Sequence, residues 1–127
     1  MTNLFVLEPS PKIKKTNSLE ADSLVEVIQA LRTHDTVAWV RRQNTGAAKV
    51  GGRFIKFGWA GCTDLLGMMK DGRLLAVECK RPKGGRLSTE QAHFIDMVNQ
   101  FGGCAFVATS AKDVFNNLGV DHASDGH

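Results

Sequence analysis

Between Thr63 and Lys80 two apolar runs flank a short polar connection, and this restricts the chain to folds organised around a buried β-hairpin. Leu65-Leu66-Gly67-Met68-Met69 and Leu74-Leu75-Ala76-Val77 set apolar residues at consecutive positions. Both faces of each strand must then be covered, which puts the pair at the centre of a sheet. The second run ends in Glu78-Cys79-Lys80. Side chains alternate along a strand, so Glu78 and Lys80 share one face and Cys79 takes the other. Charges on a central strand are costly to bury unless they are paired or metal-bound.

Whether Asp64 joins them depends on register. A two-residue Asp71-Gly72 turn sets position 64 against Cys79, on the wrong side. A three-residue Lys70-Asp71-Gly72 loop, with Gly72 left-handed in a bulge, sets Met69 against Arg73 and position 64 against Glu78. The second register is expected, and it gathers Asp64, Glu78 and Lys80 on one face. Two adjacent carboxylates repel unless a cation joins them, and oxygen-only ligands favour Mg²⁺ or Mn²⁺ over zinc. Such an ion would bind a phosphate oxygen and acidify a water, while Lys80 would orient that water and steady the charge developing at phosphorus. The competing reading is structural: a Glu78–Lys80 ion pair, with Asp64 capping a turn.

The other elements follow from periodicity and punctuation. Residues 1–17 read as an arm that includes the apolar stretch Leu4 to Leu7. A helix is expected from Asn17 or Ser18, with Leu24, Val27, Ile28 and Leu31 on one stripe. Glu20 falls on that stripe, either for the site or as an acid favoured in a first turn; Asp22 and Glu26 fall off it and read as solubility residues. Val37 to Arg42 alternates as a strand, Asn44-Thr45-Gly46 reads as a turn, and Gly51-Gly52 precedes a short strand from Arg53 to Phe57. Ser88-Thr89-Glu90-Gln91 has the capping-box pattern, opening a helix with Gln91, Phe94, Ile95, Val98 and Phe101 on its inner stripe. Gly102-Gly103 stop it, Cys104 to Ala108 form a strand, and Ser110 caps a last helix over 111–118. The expected architecture is one α/β domain over 18–118, a mixed sheet covered by helices, with a tail over 119–127.

Charge is concentrated. Between Arg41 and Arg86 stand eleven basic and three acidic residues, whereas the remainder holds five basic and ten acidic. Clustered Lys and Arg displace counterions from phosphates, so the basic centre suits a polyanion, although a solvated basic face would look the same. Arg41, Arg42, Asn44, Lys49, Arg53, Lys83 and Arg86 are the candidate DNA contacts, holding phosphates without reading bases. The three cysteines, Cys62, Cys79 and Cys104, form no C-x-x-C pair. A disulfide framework and a structural zinc site are therefore not expected. Apolar runs fall far short of the ~20 residues of a spanning helix, and no signal peptide is recognisable. A cytoplasmic protein with no membrane partner is expected.

Several segments together resemble the virus-type replication-repair nucleases, the VRR-NUC branch of the PD-(D/E)xK superfamily. They are Glu20, Arg42-Gln43-Asn44-Thr45-Gly46, Phe57-Gly58-Trp59-Ala60-Gly61-Cys62-Thr63-Asp64-Leu65-Leu66-Gly67, Asp71-Gly72-Arg73, Glu78-Cys79-Lys80-Arg81-Pro82 and Ser88-Thr89-Glu90-Gln91. Thr63 stands where the superfamily name has proline. The resemblance implies a restriction-endonuclease-like αβββαβ(α) core and Mg²⁺- or Mn²⁺-dependent hydrolysis of DNA phosphodiesters. It further implies that Asp64, Glu78 and the Cys79 carbonyl hold the metal, that Glu20 contributes directly or through water, and that Lys80 and Gln91 serve catalysis. Small members of this branch, virus- or prophage-encoded among them, tend to pair as homodimers and to prefer branched, flapped or four-way DNA. A restriction-type nuclease and a DNA-binding module without catalysis are the alternatives.

Overall fold

The computed structural model describes residues 18–43 and 46–119. Its first helix, α1 (Ser18–Thr33), buries Val27, Ala30 and Leu31 as the helical stripe requires, and Thr33 Oγ1 donates to the carbonyl of Gln29 at its last turn. The strands are β1 (Val37–Arg42), β2 (Gly46–Val50), β3 (Arg53–Phe57), β4 (Leu65–Met69), β5 (Leu74–Cys79) and β6 (Cys104–Ala108). Helix α2 (Thr89–Gln100) links β5 to β6, and α3 (Ala111–Leu118) follows β6. The main sheet runs β1-β4-β5-β6, with β1, β4 and β5 antiparallel and β5 parallel to β6. The central hairpin is therefore flanked on both sides, as its two-sided apolar character demands.

Period-two alternation divides the core between the two faces of the sheet. Leu75, Val77 and Cys79 of β5, with Leu65, Met69, Phe106 and Ala108, pack against Val27 and Leu31 of α1 and Val114 of α3. Ala76 and Ala105 face the other way and pack with Cys62 against Phe94 and Val98 of α2. Glu78 therefore belongs to the α2 face and Cys79 to the α1 face. This is the mixed α/β sheet with flanking helices that the sequence leads one to expect.

Five local expectations need correction. A second strand, β2, forms and pairs with β3 around Gly51-Gly52, making a separate two-stranded sheet. β1 does not alternate simply: a register shift between Val37 and Trp39 turns Val37 and Val40 inward and leaves Ala38 and Trp39 exposed, the effect of one extra residue in a bulge. Phe101 is 81% exposed instead of lying on the inner stripe of α2. The helix has already ended at Gln100, and Phe101 is its C-cap with φ −97° and ψ 22°, so helical spacing no longer sets its direction. Ser110 sits at the N-cap of α3 but makes no side-chain capping bond; Glu26 Oε2 instead accepts the Ala111 N–H at 2.7 Å. Glu26 thus joins α1 to α3 and is more than a solubility residue. The N-terminal arm, Asn44 and the tail beyond Gly119 lie outside the described residues.

Candidate active site

The register of the central hairpin decides the site. Leu65 pairs with Val77 and Met68 with Leu74, so position 64 stands against Glu78. The turn is the three-residue one: Met69 N–H bonds to the Arg73 carbonyl, Gly72 N–H to the Met69 carbonyl, and Gly72 has φ 95°. An L side chain is disfavoured at that φ, so this glycine fixes which residues meet at the far end of the hairpin.

At that far end carboxylates carry on the hydrogen bonding of the strands. Glu78 Oε1 accepts the Asp64 N–H at 3.1 Å, and Asp64 Oδ2 accepts the Cys79 N–H at 2.9 Å. The flanking strands hold the same two points, since Gln43 N–H donates to the Asp64 carbonyl at 2.7 Å and Lys80 N–H to the Ala108 carbonyl at 3.1 Å. Thr63, fully buried, donates its hydroxyl to the Leu65 carbonyl at 2.8 Å, which ties down the residue before Asp64. The two acids are thus positioned by main chain, which costs less side-chain freedom than a contact between long side chains.

Glu78 Oε2 has two further partners, Lys80 Nζ at 3.2 Å and Gln91 Nε2 at 2.9 Å. Gln91 carries out both tasks open to it. Its Oε1 accepts the Ser88 N–H at 2.9 Å while Ser88 Oγ accepts the Gln91 N–H at 3.0 Å, completing the capping box. The same amide turns its nitrogen to Glu78. One side chain therefore starts α2 and orients a carboxylate on β5.

Glu78 is 2% exposed. Burial foremost, then the Asp64 charge, push its carboxyl up to about 7, against the opposing pull of Lys80. A buried carboxylate beside a second one, with one ammonium between them and solvent, is a site short of positive charge. Burial also raises the thiols of Cys62 and Cys79, and Asp64 and Glu78 add to the effect at Cys79. These thiols are buried, uncharged packing groups.

Glu20 does not join the acids in a cluster: among the described residues, no group of three or more His, Cys, Asp or Glu is assembled for a metal. A contribution of Glu20 through water stays part of the proposed site. Helix α1 packs on the Cys79 face of the sheet, and the charge of Glu20 is felt at Cys79, whereas Glu78 looks toward α2. Asp64, Glu78 and the Cys79 carbonyl still suit a hard dication, because Mg²⁺ is usually held by only one or two carboxylates with water and phosphate. The repulsion that Asp64 exerts on Glu78 fits that group.

The basic candidates fall in three places. Arg41 pairs with Leu66 and shares the α2 face with the acids, whereas Arg42 pairs with Leu65 on the opposite face. Lys83 and Arg86 are exposed in the connection after Lys80, and Lys49 and Arg53 are exposed on the β2–β3 hairpin. Trp59 and Glu90, which line one cavity of about 410 Å³ with Phe94, carried no signal in the sequence beyond membership of a glycine-rich motif and a first helical turn.

A model of the VRR-NUC domain matches residues 12–112. No curated protein and no solved structure gives a significant match.

Proposed function

The chain belongs to the VRR-NUC family, a nuclease family whose substrate is DNA, and from that premise we propose that it is a metal-dependent DNA endonuclease selective for branched, flapped or four-way structures. The observation carrying this reading is the pair Asp64 and Glu78, brought together by hairpin register, with Lys80 and Gln91 converging on Glu78 Oε2. A structural ion pair would need none of the second carboxylate, which here raises the cost of burying the first.

Asp64, Glu78 and the Cys79 carbonyl would hold Mg²⁺ or Mn²⁺, which when bound neutralises phosphate charge and makes a water more acidic. Lys80 Nζ hydrogen-bonds the attacking water and aims it at phosphorus, and its charge offsets the negative charge that grows on the phosphoryl oxygens. Hydrolysis adds the hydroxyl of that water to phosphorus as the P–O bond to the leaving oxygen breaks, and the water's other proton ends, by way of solvent, on that leaving oxygen. Gln91 holds Oε2 of Glu78 in place throughout, so the carboxylate does not swing toward Lys80 alone. Arg41, Arg42, Lys49, Arg53, Lys83 and Arg86 hold phosphates on either side, with Asn44 assigned the same task from sequence.

A homodimer is part of the proposal. Trp39, Met68 and Leu74 are cross-strand neighbours, all exposed on the α2 face at the turn end of the hairpin. An open cavity of about 550 Å³ adjoins them, lined by Leu74, Met97 and Phe101 among others. Such a contiguous apolar surface marks a contact site more often than bare solvent exposure. It lies at the opposite end of β5 from Glu78, so pairing there leaves the acids accessible.

The test uses labelled four-way, flapped and linear duplex DNA with Mg²⁺, Mn²⁺ or EDTA. Cleavage of the branched forms in the presence of either ion is expected. Asp64→Ala and Lys80→Ala should each slow cutting by roughly two to three orders of magnitude, as the loss of one strong electrostatic contributor does, and still bind DNA. Wild-type turnover in either variant, or in EDTA, overturns the site; equal cutting of linear duplex overturns the structural preference.

A further inference from the structure

The connection over residues 81–87, between Lys80 and the N-cap Ser88 of α2, holds two adjacent glycines that are there for different reasons. Gly84 has φ 78°, a left-handed conformation that an L side chain rarely adopts, so its backbone accounts for it. Gly85 lies outside that region and its backbone would admit alanine. What Gly85 lacks is room. A Cβ there would stand 2.9 Å from Cβ of Lys80, 3.1 Å from the Arg81 carbonyl oxygen and 3.4 Å from the Arg81 nitrogen. Non-bonded carbons sit best at roughly 3.5–4.0 Å. None of the three atoms is the free end of a side chain: one is the first carbon of Lys80 and two are main chain. None can swing aside cheaply, although residues 82–87 are otherwise exposed to solvent.

This close approach leads to the acid pair through one side chain. Lys80 N–H donates to the Ala108 carbonyl at 3.1 Å, so β6 fixes its main chain. Its side chain is 15% exposed and sets Nζ 3.2 Å from Glu78 Oε2. Between those two points runs a flexible four-carbon stem, and holding such a stem in one geometry is opposed by its rotamer entropy. A loop seated against Cβ narrows the staggered wells open to the first torsion of the stem. The main chain at Gly85 supplies that contact, and only a residue without Cβ can come so near.

We propose that Gly85 is a positioning residue for Lys80: by lacking a side chain it lets the 81–87 loop close on the lysine stem and keep Nζ at the acid pair. The inference rests on the nuclease reading and deepens it by naming what holds the group that aims the attacking water. It also divides the labour of the loop. Lys83 and Arg86, on either side, are assigned to phosphates, whereas Gly85 acts through Lys80.

The test compares wild type with Gly85→Ala. A short pulse of acetic anhydride on the folded proteins, read by peptide mass spectrometry, gives acetylation of Lys80 relative to exposed Lys112 of α3. That ratio should rise several-fold in Gly85→Ala. On branched DNA with Mg²⁺, kcat should fall by roughly 10- to 100-fold, as a small misplacement of a reacting group implies, while DNA affinity in EDTA is unchanged. If the glycine only shapes the loop, Lys83 and Arg86 are displaced instead: affinity falls, kcat holds, and the proposal is overturned. An unchanged labelling ratio overturns it as well. In a Lys80→Gly background the overlap with Cβ of Lys80 is gone, so Gly85→Ala should lower the melting temperature far less than in wild type. Equal losses in the two backgrounds overturn the contact, even where Gly85→Ala alone is too unstable for a cleavage assay. If wild type cuts no DNA with either ion, the nuclease reading falls, and labelling and melting still decide whether Gly85 holds Lys80. If branched DNA is cut while ratio and kcat are unmoved, only the assignment of Gly85 falls.

Discussion

Replacing Glu78 with glutamine tests the electrostatics of the site before any substrate is added. In the folded protein its carboxyl is pushed up from 4.5 to about 7, chiefly by burial and next by Asp64. Between those values the native state keeps a proton that the unfolded chain has released. Stability is therefore greatest at and below the lower value, declines as pH rises through the window, and levels off above the upper one. At ~1.4 kcal/mol for each pH unit, the decline is on the order of 3 kcal/mol, and 2% exposure leaves little solvent screening to reduce it. Chemical denaturation in EDTA at a series of pH values should show the excess negative slope in wild type and its absence in Glu78→Gln. The variant also sets an amide N–H₂ near donors from Lys80 and Gln91, which costs about 1–3 kcal/mol but is constant with pH. Slope, not absolute stability, is the readout. Above the window, Mg²⁺ should stabilise wild type and leave the variant unmoved. Parallel pH profiles for the two proteins would refute the reasoning.

Other consequences can be checked with equal directness. Gln91→Glu keeps an acceptor for the Ser88 N–H but removes the donor to Glu78, whereas Gln91→Ala removes both. The alanine variant should lose about 0.5–2 kcal/mol of stability in denaturant melts, as a lost cap does, the glutamate variant less; both should turn over slowly, and full activity in Gln91→Glu would reduce the residue to a cap. DNA affinity measured by anisotropy should fall linearly on a log–log plot against salt, and Arg41→Ala should flatten the slope by about one; a salt-independent affinity removes the phosphate contacts. Sedimentation of a dilution series should show a dimer that Met68→Glu converts to monomer, and an unaffected dimer would move the interface away from the exposed row Trp39, Met68 and Leu74.

The parts of the fold legible in sequence are those fixed by short-range chemistry. Gly72 after Lys70-Asp71 selects one hairpin register, and that choice alone brings Asp64 opposite Glu78. Ser88 and Gln91 announce the start of α2 through a reciprocal bond between residues three apart. What escaped depends on neighbours distant in sequence. β2 has the sequence Gly-Ala-Ala-Lys-Val, with little strand preference of its own, and exists by pairing with β3. Glu26 gains its role from a helix N-terminus 85 residues away. The same limit hid Trp59, whose partner Phe94 belongs to another element.

Charge at the site gives a physical reason for binding and cutting to be separable. Asp64, Glu78 and Lys80 together carry one net negative charge when both acids are ionised, within a region where basic residues prevail. A phosphate diffusing in is attracted by Arg41, Lys83 and Arg86 at long range and repelled at the last step by the two carboxylates. A divalent ion reverses the sign of that inner group to one net positive charge and leaves the outer residues as they were. On the proposed mechanism, holding DNA would fall to the surround, while admitting the scissile phosphate would fall to the metal-loaded pair. Loss of either carboxylate should therefore stop cutting without releasing the DNA, since the repulsion at the last step weakens at the same moment as the capacity to act on the phosphate.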